Sequence, residues 1–330
     1  MYGQIKELEE RIQVESEKIR LIKMEISKAV IGQEYMVERL IIGLLTGGHI
    51  LLEGLPGLAK TLSVNSLART MRADFNRIQF TPDMLPADLI GTNVFNPKEG
   101  TFSPKKGPVF TNILLADEVN RAPAKVQSAL LEVMQEKQVT IAGESYQSDR
   151  PFLVLATQNP IEQEGTYPLP EAQVDRFMMK LKVSYPQKSE ERELLNLVTS
   201  FSQEAEIDQI IEKEAVLEMS EMIKDIYVDD KIKDYIVDLV DATRNPGNYS
   251  LNSLNPLIEI GASPRATITL AIAAKAYAFL QGKGFVSPQD IKVVAPDVLR
   301  HRIIISYEAE AEEKSSDDII QTLLSEIPVP

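Results

Sequence analysis

Apolar residues recur at steps of three and four along the first part of the chain. The positions are Ile5, Leu8, Ile12, Ile19, Ile22 and Ile26, with charged residues between them. This spacing predicts a long helix with a single apolar stripe. A second helix is predicted over residues 34–45, where Gly47 and Gly48 end the apolar run.

The pattern then changes to short apolar runs separated by helical segments. Strands are predicted over residues 49–53, 75–81, 113–116, 151–156 and 179–184, with helices that include 61–71 and 125–136 between them. Strands that are apolar along most of their length and alternate with helices indicate an α/β fold. We therefore expect a parallel sheet that is buried on both faces.

After Tyr185 the pattern is almost purely helical, which predicts an α/β domain over residues 1–187 and a helical domain over 188–330. The predicted helices cover 189–198, 214–227, 230–244, 263–280 and 287–294, and Pro296 is expected to end the last one. The acidic segment 308–318 is predicted to be a solvated linker before a short helix at 319–325, with a binding role as the alternative.

Composition excludes several classes of chemistry. The 330 residues include no cysteine and two histidines, which excludes disulfides, thiolate metal sites and cysteine nucleophiles, and disfavours a histidine-built metal centre. The net charge of −14 disfavours nucleic acid as a partner. The polar N-terminus and the short apolar runs predict neither a signal peptide nor a membrane-inserted segment, so we expect a cytoplasmic protein.

A glycine-containing loop follows the first predicted strand and opens a helix. Its sequence is GLPGLAKT, residues 54–61. Such a loop points backbone N–H groups at phosphate oxygens, while Lys60 reaches the β- and γ-phosphates and Thr61 ligates Mg²⁺. Ala59 replaces the glycine that usually precedes the lysine, which is acceptable if this residue has ordinary helical dihedral angles. The alternative is a strand–helix turn that binds nothing.

Two carboxylates end another predicted strand, ILLADE at residues 113–118. Asp117 would lie beside the phosphate loop and hold Mg²⁺ directly or through water. Glu118 would act as general base toward the attacking water. An acidic pair after a strand is often only solvated. Here its distance along the chain from the phosphate loop predicts that the protein binds and hydrolyses a nucleoside triphosphate.

An ordered set of motifs extends along the chain from about residue 25. It comprises VIGQ (30–33), GLPGLAKT (54–61), QFTPDMLPAD (79–88), GPVF (107–110), DEVNRA (117–122), ATQNP (156–160), EAQVDRF (171–177) and ASPR (262–265). This set resembles the AAA+ ATPases and specifically the MoxR family, in which the alanine form of the loop is usual. The resemblance implies a P-loop NTPase three-layer core with a parallel five-stranded sheet, followed by an all-α lid domain.

The resemblance also implies roles for three polar residues. Asn159 resembles sensor 1, which orients the attacking water, and Arg176 resembles the arginine finger that reaches a neighbouring subunit's γ-phosphate. Arg265 resembles sensor 2, acting in its own subunit or in a neighbour. The alternatives are a turn-capping role for Asn159 and an intramolecular ion pair of Arg176 with Asp175 or Glu171.

Further residues are implied as ATP and Mg²⁺ contacts by the same resemblance. Val30, Ile31 and Gln33 correspond to the adenine pocket, with packing at a helix start as the alternative. The loop contacts are Gly54, Pro56, Gly57, Leu58, Ala59, Lys60, Thr61 and Leu62, and the metal ligands are Thr61 and Asp117.

Two segments read as hairpin insertions, residues 88–110 and 136–150. Related rings direct such hairpins toward the central pore or the substrate. Lys98, Lys105 and Lys106 make the first insertion basic, which indicates either a solvated tip or contact with a partner or polyanion.

The resulting hypothesis is a Mg-ATP-dependent, ring-forming ATPase that remodels or matures partner proteins. The resemblance implies a homo-hexamer and a protein client, with von Willebrand factor A-domain proteins as the client class. Three alternatives stay open: a nucleic-acid motor of the AAA+ type, a magnesium-chelatase-like subunit, and a scaffold that binds ATP and scarcely hydrolyses it.

Overall fold

The computed structural model describes residues 2–54, 58–159, 166–199 and 206–330. Its helices are α1 (Tyr2–Ser27), α2 (Glu34–Thr46), α3 (Lys60–Thr70), α4 (Pro86–Ile90), α5 (Ala124–Glu136), α6 (Glu171–Val174), α7 (Lys188–Thr199), α8 (Lys213–Lys224), α9 (Asp230–Ala242), α10 (Pro264–Leu280), α11 (Pro288–Leu299), α12 (Tyr307–Ala311) and α13 (Ser316–Glu326). Its strands are β1 (Ile50–Gly54), β2 (Phe75–Gln79), β3 (Gly91–Asn96), β4 (Thr101–Lys106), β5 (Ile113–Asp117), β6 (Gln138–Ile141), β7 (Glu144–Gln147), β8 (Leu153–Gln158), β9 (Met179–Val183), β10 (Ile258–Ile260) and β11 (Ile304–Ile305).

The central sheet has five strands in the order β2-β5-β8-β1-β9. The strand β2 pairs with β5, β5 with β8, and β8 with β1, each in parallel register. Strands β5 and β8 are buried over nearly their whole length, as expected for strands covered on both faces. The predicted α/β fold with a parallel five-stranded sheet is confirmed.

The helix α5 packs against one face of this sheet. Its residues Val126, Leu130 and Met134 recur at steps of four and are at most 3% exposed. They form one apolar cluster with Leu114 of β5 and Val154 of β8. Burying each such side chain contributes about 1.5–3 kcal/mol, so this cluster holds the helix on the sheet.

Both predicted hairpins are present. The strands β3 and β4 pair antiparallel from Gly91 and Lys106 to Asn96 and Thr101, and β6 pairs antiparallel with β7. At the base of the first hairpin, a Cβ atom on Gly91 or Gly107 would overlap neighbouring backbone atoms. Gly91 also has a φ of 101°, so the hairpin base requires glycine at these positions.

The C-terminal part of the chain is helical with one short strand pair. The helix α10 packs against α9 and α11, and α13 packs against the same two helices. The predicted helices at 189–198, 214–227, 230–244, 263–280 and 287–294 are all present. The antiparallel pair β10–β11 was not predicted.

Pro296 lies inside α11, and the prediction that it ends this helix is wrong. The helix continues to Leu299, and the side chains of Val298 and Leu299 are fully buried. A proline inside a helix costs about 3 kcal/mol or more through the lost hydrogen bond and the clash of its ring. Burial of the two following side chains, about 1.5–3 kcal/mol each, offsets that cost.

The acidic segment 308–318 is mostly exposed, as predicted, but much of it is helical, so its prediction as a linker is wrong. The helix α12 occupies its first part, and α13 begins at Ser316. The Ser315 N–H donates to Asp318 Oδ2 at 2.8 Å, and the Asp318 N–H donates to Ser315 Oγ at 3.3 Å. Because carboxylates in a first turn stabilise a helix, part of the acidic composition serves a helix start.

The chain divides into two compact units that alternate along the sequence. One contains residues 1–19, 178–180 and 218–330, and the other contains residues 20–177 and 181–217. The predicted boundary between residues 187 and 188 stays a prediction. Among the described residues, no helix is long and apolar enough to cross a membrane.

His49 is a buried link between the sheet and α5. Its Nε2–H donates to the Met134 carbonyl at 3.0 Å, and the Val154 N–H donates to its Nδ1 at 3.0 Å. Complete burial lowers the pKa of the imidazole from 6.5 to about 4, although the hydrogen bond to Met134 acts in the opposite direction. The folded protein therefore holds His49 neutral with both ring nitrogens in use.

This arrangement predicts a pH-dependent contribution of His49 to stability. Because the pKa is lower in the folded than in the unfolded chain, the contribution is complete above pH 6.5 and is lost as the pH falls toward 4. The stability difference between wild type and His49→Gln should shrink by about 3 kcal/mol between pH 7 and pH 4. Chemical denaturation at a series of pH values measures this difference.

His301→Gln is the control for loss of an imidazole. His301 is the other histidine of the chain and is only partly buried. A difference between wild type and His49→Gln that stays constant over this pH range would contradict the prediction.

Candidate nucleotide-binding site

A cavity of about 460 Å³ lies at the carboxyl edge of the sheet, where β1 ends and α3 begins. Its lining residues are Gly54, Leu58, Ala59, Lys60, Thr61, Leu62, Arg77, Gln79, Asp117, Glu118, Thr157 and Asn159. Pro56 and Gly57, also predicted as loop contacts, lie outside the described residues. The structure therefore brings the two predicted motifs, the phosphate loop and the acidic pair, to one cavity.

Ala59 has left-handed backbone angles, with φ 55° and ψ 21°. Ordinary helical dihedral angles, the condition under which alanine would be acceptable here without strain, are therefore not met. Ala59 is the N-cap of α3, and the chain must turn there before the helix begins. The left-handed conformation costs a residue with a Cβ atom about 1–2 kcal/mol, so the loop carries strain at this position.

Lys60 is the first residue of α3, and its side chain reaches back to the end of β1. Its Nζ donates to the Gly54 carbonyl at 2.8 Å. Burial lowers the pKa of this ammonium group, and the nearby carboxylates of Asp117 and Glu118 act in the opposite direction. A partly desolvated cation at the N-terminus of a helix provides an anion-binding position.

Asp117 and Glu118 are positioned by Thr157, a residue for which no role was predicted. The Thr157 hydroxyl donates to Asp117 Oδ1 at 2.6 Å, and the Glu118 N–H donates to the Thr157 oxygen at 2.9 Å. Thr157 is 1% exposed and belongs to β8, which pairs with β5. The sequence does contain a signal for this role, because Thr157 is a polar residue near the end of an otherwise apolar strand.

Two residues of β2 also contact the acidic pair, and no role was predicted for either of them. Arg77 donates to Asp117 Oδ2 from Nη2 at 2.6 Å and from Nε at 3.2 Å. Gln79 Nε2 donates to Glu118 Oε2 at 2.6 Å. The alternation of polar residues in FNRIQF, residues 75–80, was the available signal, because alternate residues share one face of a strand.

Glu118 has a left-handed backbone with φ 56°. Its Oε2 also accepts a hydrogen bond from Arg121 Nη1 at 3.0 Å. The carboxylate is thus held by one neighbour from β2 and one from the turn that follows β5. Backbone strain of this kind is stored where the surroundings determine the conformation, and it is common at functional sites.

The other predicted residues occupy three different places. Asn159 follows β8 directly and lines the cavity. Arg176 is exposed in the turn between α6 and β9 and does not line the cavity. Arg265 is exposed in the first turn of α10, which belongs to the other compact unit.

The residues predicted for the adenine pocket lie at the start of α2. Val30 and Gln33 are buried and line a second cavity of about 410 Å³, next to the C-terminal end of α1. Ile31 is half-buried. Their contact with adenine stays a prediction.

The oxygen donors in the first cavity fit magnesium in its nucleotide-bound form. Thr61 and Asp117, the predicted ligands, both line this cavity. In the part of the chain that the structure describes, no group of three or more His, Cys, Asp or Glu residues could hold a metal alone. Magnesium in nucleotide sites takes one or two protein oxygens and completes its shell with phosphate and water, which matches this donor set.

Family comparisons agree with this geometry. The model of the ATPase family associated with various cellular activities (AAA) matches residues 49–179, and the AAA lid-domain model matches residues 253–323. The fold and the site thus define an AAA+ ATPase core of the P-loop class followed by a helical lid.

Individual relatives narrow the family. The chain is 47% identical to the chaperone MoxR1 of Mycobacterium tuberculosis over 306 residues, which cover 93% of this chain and 81% of that protein. It is 30% identical to the MoxR protein of Methylorubrum extorquens, with 93% of each covered. A crystal structure of a candidate ATPase from Cytophaga hutchinsonii superimposes with a TM-score of 0.93 at 55% identity, with 99% of each chain covered. The chain belongs to the MoxR family of AAA+ ATPases.

Proposed function

We propose that this protein hydrolyses ATP to ADP and phosphate with Mg²⁺ at the first cavity. The observation that carries the proposal is the convergence of Lys60, Asp117 and Glu118 on one cavity at the N-terminus of α3. Phosphoryl transfer requires little covalent chemistry from the protein. It requires cations for the phosphates, an oxygen ligand for the metal and a base for the water, and these three residues supply them.

Each residue has a distinct role in this proposal. Lys60 binds the β- and γ-phosphates, and Thr61 and Asp117 hold the metal, which when bound neutralises phosphate charge. Glu118 accepts the proton of the attacking water, and Asn159 orients that water. The short hydrogen bond from Gln79 holds the Glu118 carboxylate on the β2 side of the cavity.

Phosphate release should depend on Lys60 and Glu118. We expect Lys60→Ala to abolish turnover because ATP binding is lost. We expect Glu118→Gln to bind ATP but to lower the rate about 10²–10⁴-fold, because the amide cannot take the proton. The matched control is Glu132→Gln, the same change at an exposed position of α5, which should retain the wild-type rate. Equal rates in all four proteins would refute the ATPase proposal.

A ring assembly is the second part of the proposal. Arg176 is exposed, so it is available to a neighbouring subunit, and in a homo-hexamer it would contact the γ-phosphate of that neighbour. Arg265 contacts the nucleotide of its own or of an adjacent subunit. The helix dipole disfavours a cation in a first turn, which supports a role for Arg265 toward an anion.

Mixed assemblies test whether Arg176 acts on a neighbour. We expect Arg176→Ala and Glu118→Gln to be inactive alone, and an equal mixture to regain about a quarter of the wild-type rate. Half of the sites then keep Glu118, and half of those face a subunit that keeps Arg176. Phosphate release after co-assembly measures this. Arg72→Ala, a change at a side chain that is 74% exposed, controls for loss of an arginine. A mixture without recovered activity, or a fully active Arg176→Ala, would contradict the role in trans.

The third part of the proposal is a chaperone-like action on a protein client. The name of the M. tuberculosis relative, chaperone MoxR1, supports it. The hairpin β3–β4 is exposed on both faces, and Phe95 and Phe102 pair across it with ring centroids 5.1 Å apart. Exposed aromatic residues of this kind mark interaction surfaces, and the family resemblance makes von Willebrand factor A-domain proteins the proposed client class.

Client binding should depend on the nucleotide state. We expect Glu118→Gln with ATP to retain a purified von Willebrand factor A-domain protein on an affinity column, and Lys60→Ala to release it, because only the first variant holds ATP. DNA-stimulated hydrolysis with salt-dependent DNA binding, and no retention of the protein, would favour the nucleic-acid motor instead.

A further inference from the structure

Arg77 lies one strand away from the residue it binds. In the parallel register of β2 with β5, Gln79 pairs with Asp117 and Arg77 pairs with Leu115. Positions two apart on a strand share a face, so Arg77, Gln79 and Asp117 lie on the same side of the sheet. The Arg77 side chain therefore extends along the sheet, past its own partner residue, to reach the carboxylate.

Both oxygens of Asp117 accept hydrogen bonds. Arg77 donates twice to Oδ2, from Nη2 at 2.6 Å and from Nε at 3.2 Å, and the Thr157 hydroxyl donates to Oδ1 at 2.6 Å. The two bonds of 2.6 Å have a length at which hydrogen bonds to a charged group are among the strongest in proteins. A cation that binds Asp117 must compete with this ion pair.

The charges in the cavity favour Arg77 over a divalent cation in the competition for Asp117. Among the described residues that line the cavity, Lys60 and Arg77 are the cations and Asp117 and Glu118 are the anions, so these charges balance without nucleotide. A divalent cation at Asp117 would lie within a few ångströms of the Arg77 guanidinium and would be repelled by it. Triphosphate adds negative charge to the cavity, which removes that penalty.

We propose that Arg77 is a displaceable counter-ion of Asp117 that keeps divalent cations off this carboxylate until nucleotide is present. The proposal rests on the proposed role of Asp117 as a metal ligand. Arg77 is suited to displacement because it belongs to the edge strand β2 and its side chain is 48% exposed, so it can move into solvent or toward phosphate. Metal and nucleotide binding then favour each other, and the coupling is reciprocal.

Removal of Arg77 should expose the metal position. We expect Arg77→Gln to bind Mn²⁺, used in place of Mg²⁺, about tenfold more tightly than wild type in the absence of nucleotide, since one repelling charge is gone. Arg77→Lys keeps the charge and should stay near wild type. The paramagnetic resonance signal of free Mn²⁺ measures this affinity without any dependence on turnover.

Two further variants make the result specific. Arg72→Gln removes one positive charge at an exposed side chain of the same compact unit and should not change Mn²⁺ affinity. Asp117→Asn combined with Arg77→Gln should lose the gained affinity, because the freed carboxylate is absent. Calorimetric titration of ADP with and without Mn²⁺, on wild type and Asp117→Asn, establishes separately whether Asp117 holds the metal.

The two ways of failing are distinguishable. If Mn²⁺ strengthens ADP binding through Asp117 but Arg77→Gln binds free Mn²⁺ no better than wild type, the counter-ion role of Arg77 is refuted and the metal role of Asp117 stands. If ADP binding is insensitive to both Mn²⁺ and Asp117→Asn, the proposed metal site and the role of Arg77 are both refuted.

Discussion

Parallel pairing of β5 with β2 and β8 is the constraint on which the site depends. Parallel strands bring their carboxyl ends to one edge of the sheet, so the ends of β1, β5 and β8 deliver Gly54, Asp117 and Asn159 to the same cavity. A slip of β5 by one residue would turn the Asp117 side chain to the opposite face. The fully buried residues Ile113, Leu114 and Leu115 hold β5 inside the sheet, so apolar burial supports the strand that carries this charged group.

Charge in this protein is arranged locally rather than balanced overall. The chain carries a net charge of −14, yet the described residues that line the cavity include two cations and two anions. Interactions between exposed charges fade beyond about 10 Å at moderate ionic strength, so distant acidic residues would have little effect on an anion bound in the cavity. The overall charge bears on the choice of a large partner, and it acts against polyanions such as DNA.

The sequence predicted those features that depend on residue type and local spacing. The strands β1, β5 and β8 follow from buried apolar runs, and Lys60, Asp117 and Glu118 follow from motifs that carry their own chemistry. Arg77, Gln79 and Thr157 were missed because their contacts depend on the register between neighbouring strands, which the apolar pattern of one strand does not specify. Pro296 was misjudged for a related reason, since the burial of later residues outweighed a local cost.

The left-handed residues Ala59 and Glu118 carry backbone strain that the folded protein retains at the candidate site. A left-handed residue next to helical ones turns successive N–H groups toward one point, which is the geometry that binds an anion. An alanine there costs the folded loop about 1–2 kcal/mol, but it also restricts the unfolded chain more than glycine does. Across the cavity, the left-handed turn at Glu118 brings its N–H to Thr157 while Gln79 and Arg121 hold its carboxylate. Relaxing either turn would move a group away from the cavity, so the strain cannot be removed without disturbing the candidate site that the buried sheet supports.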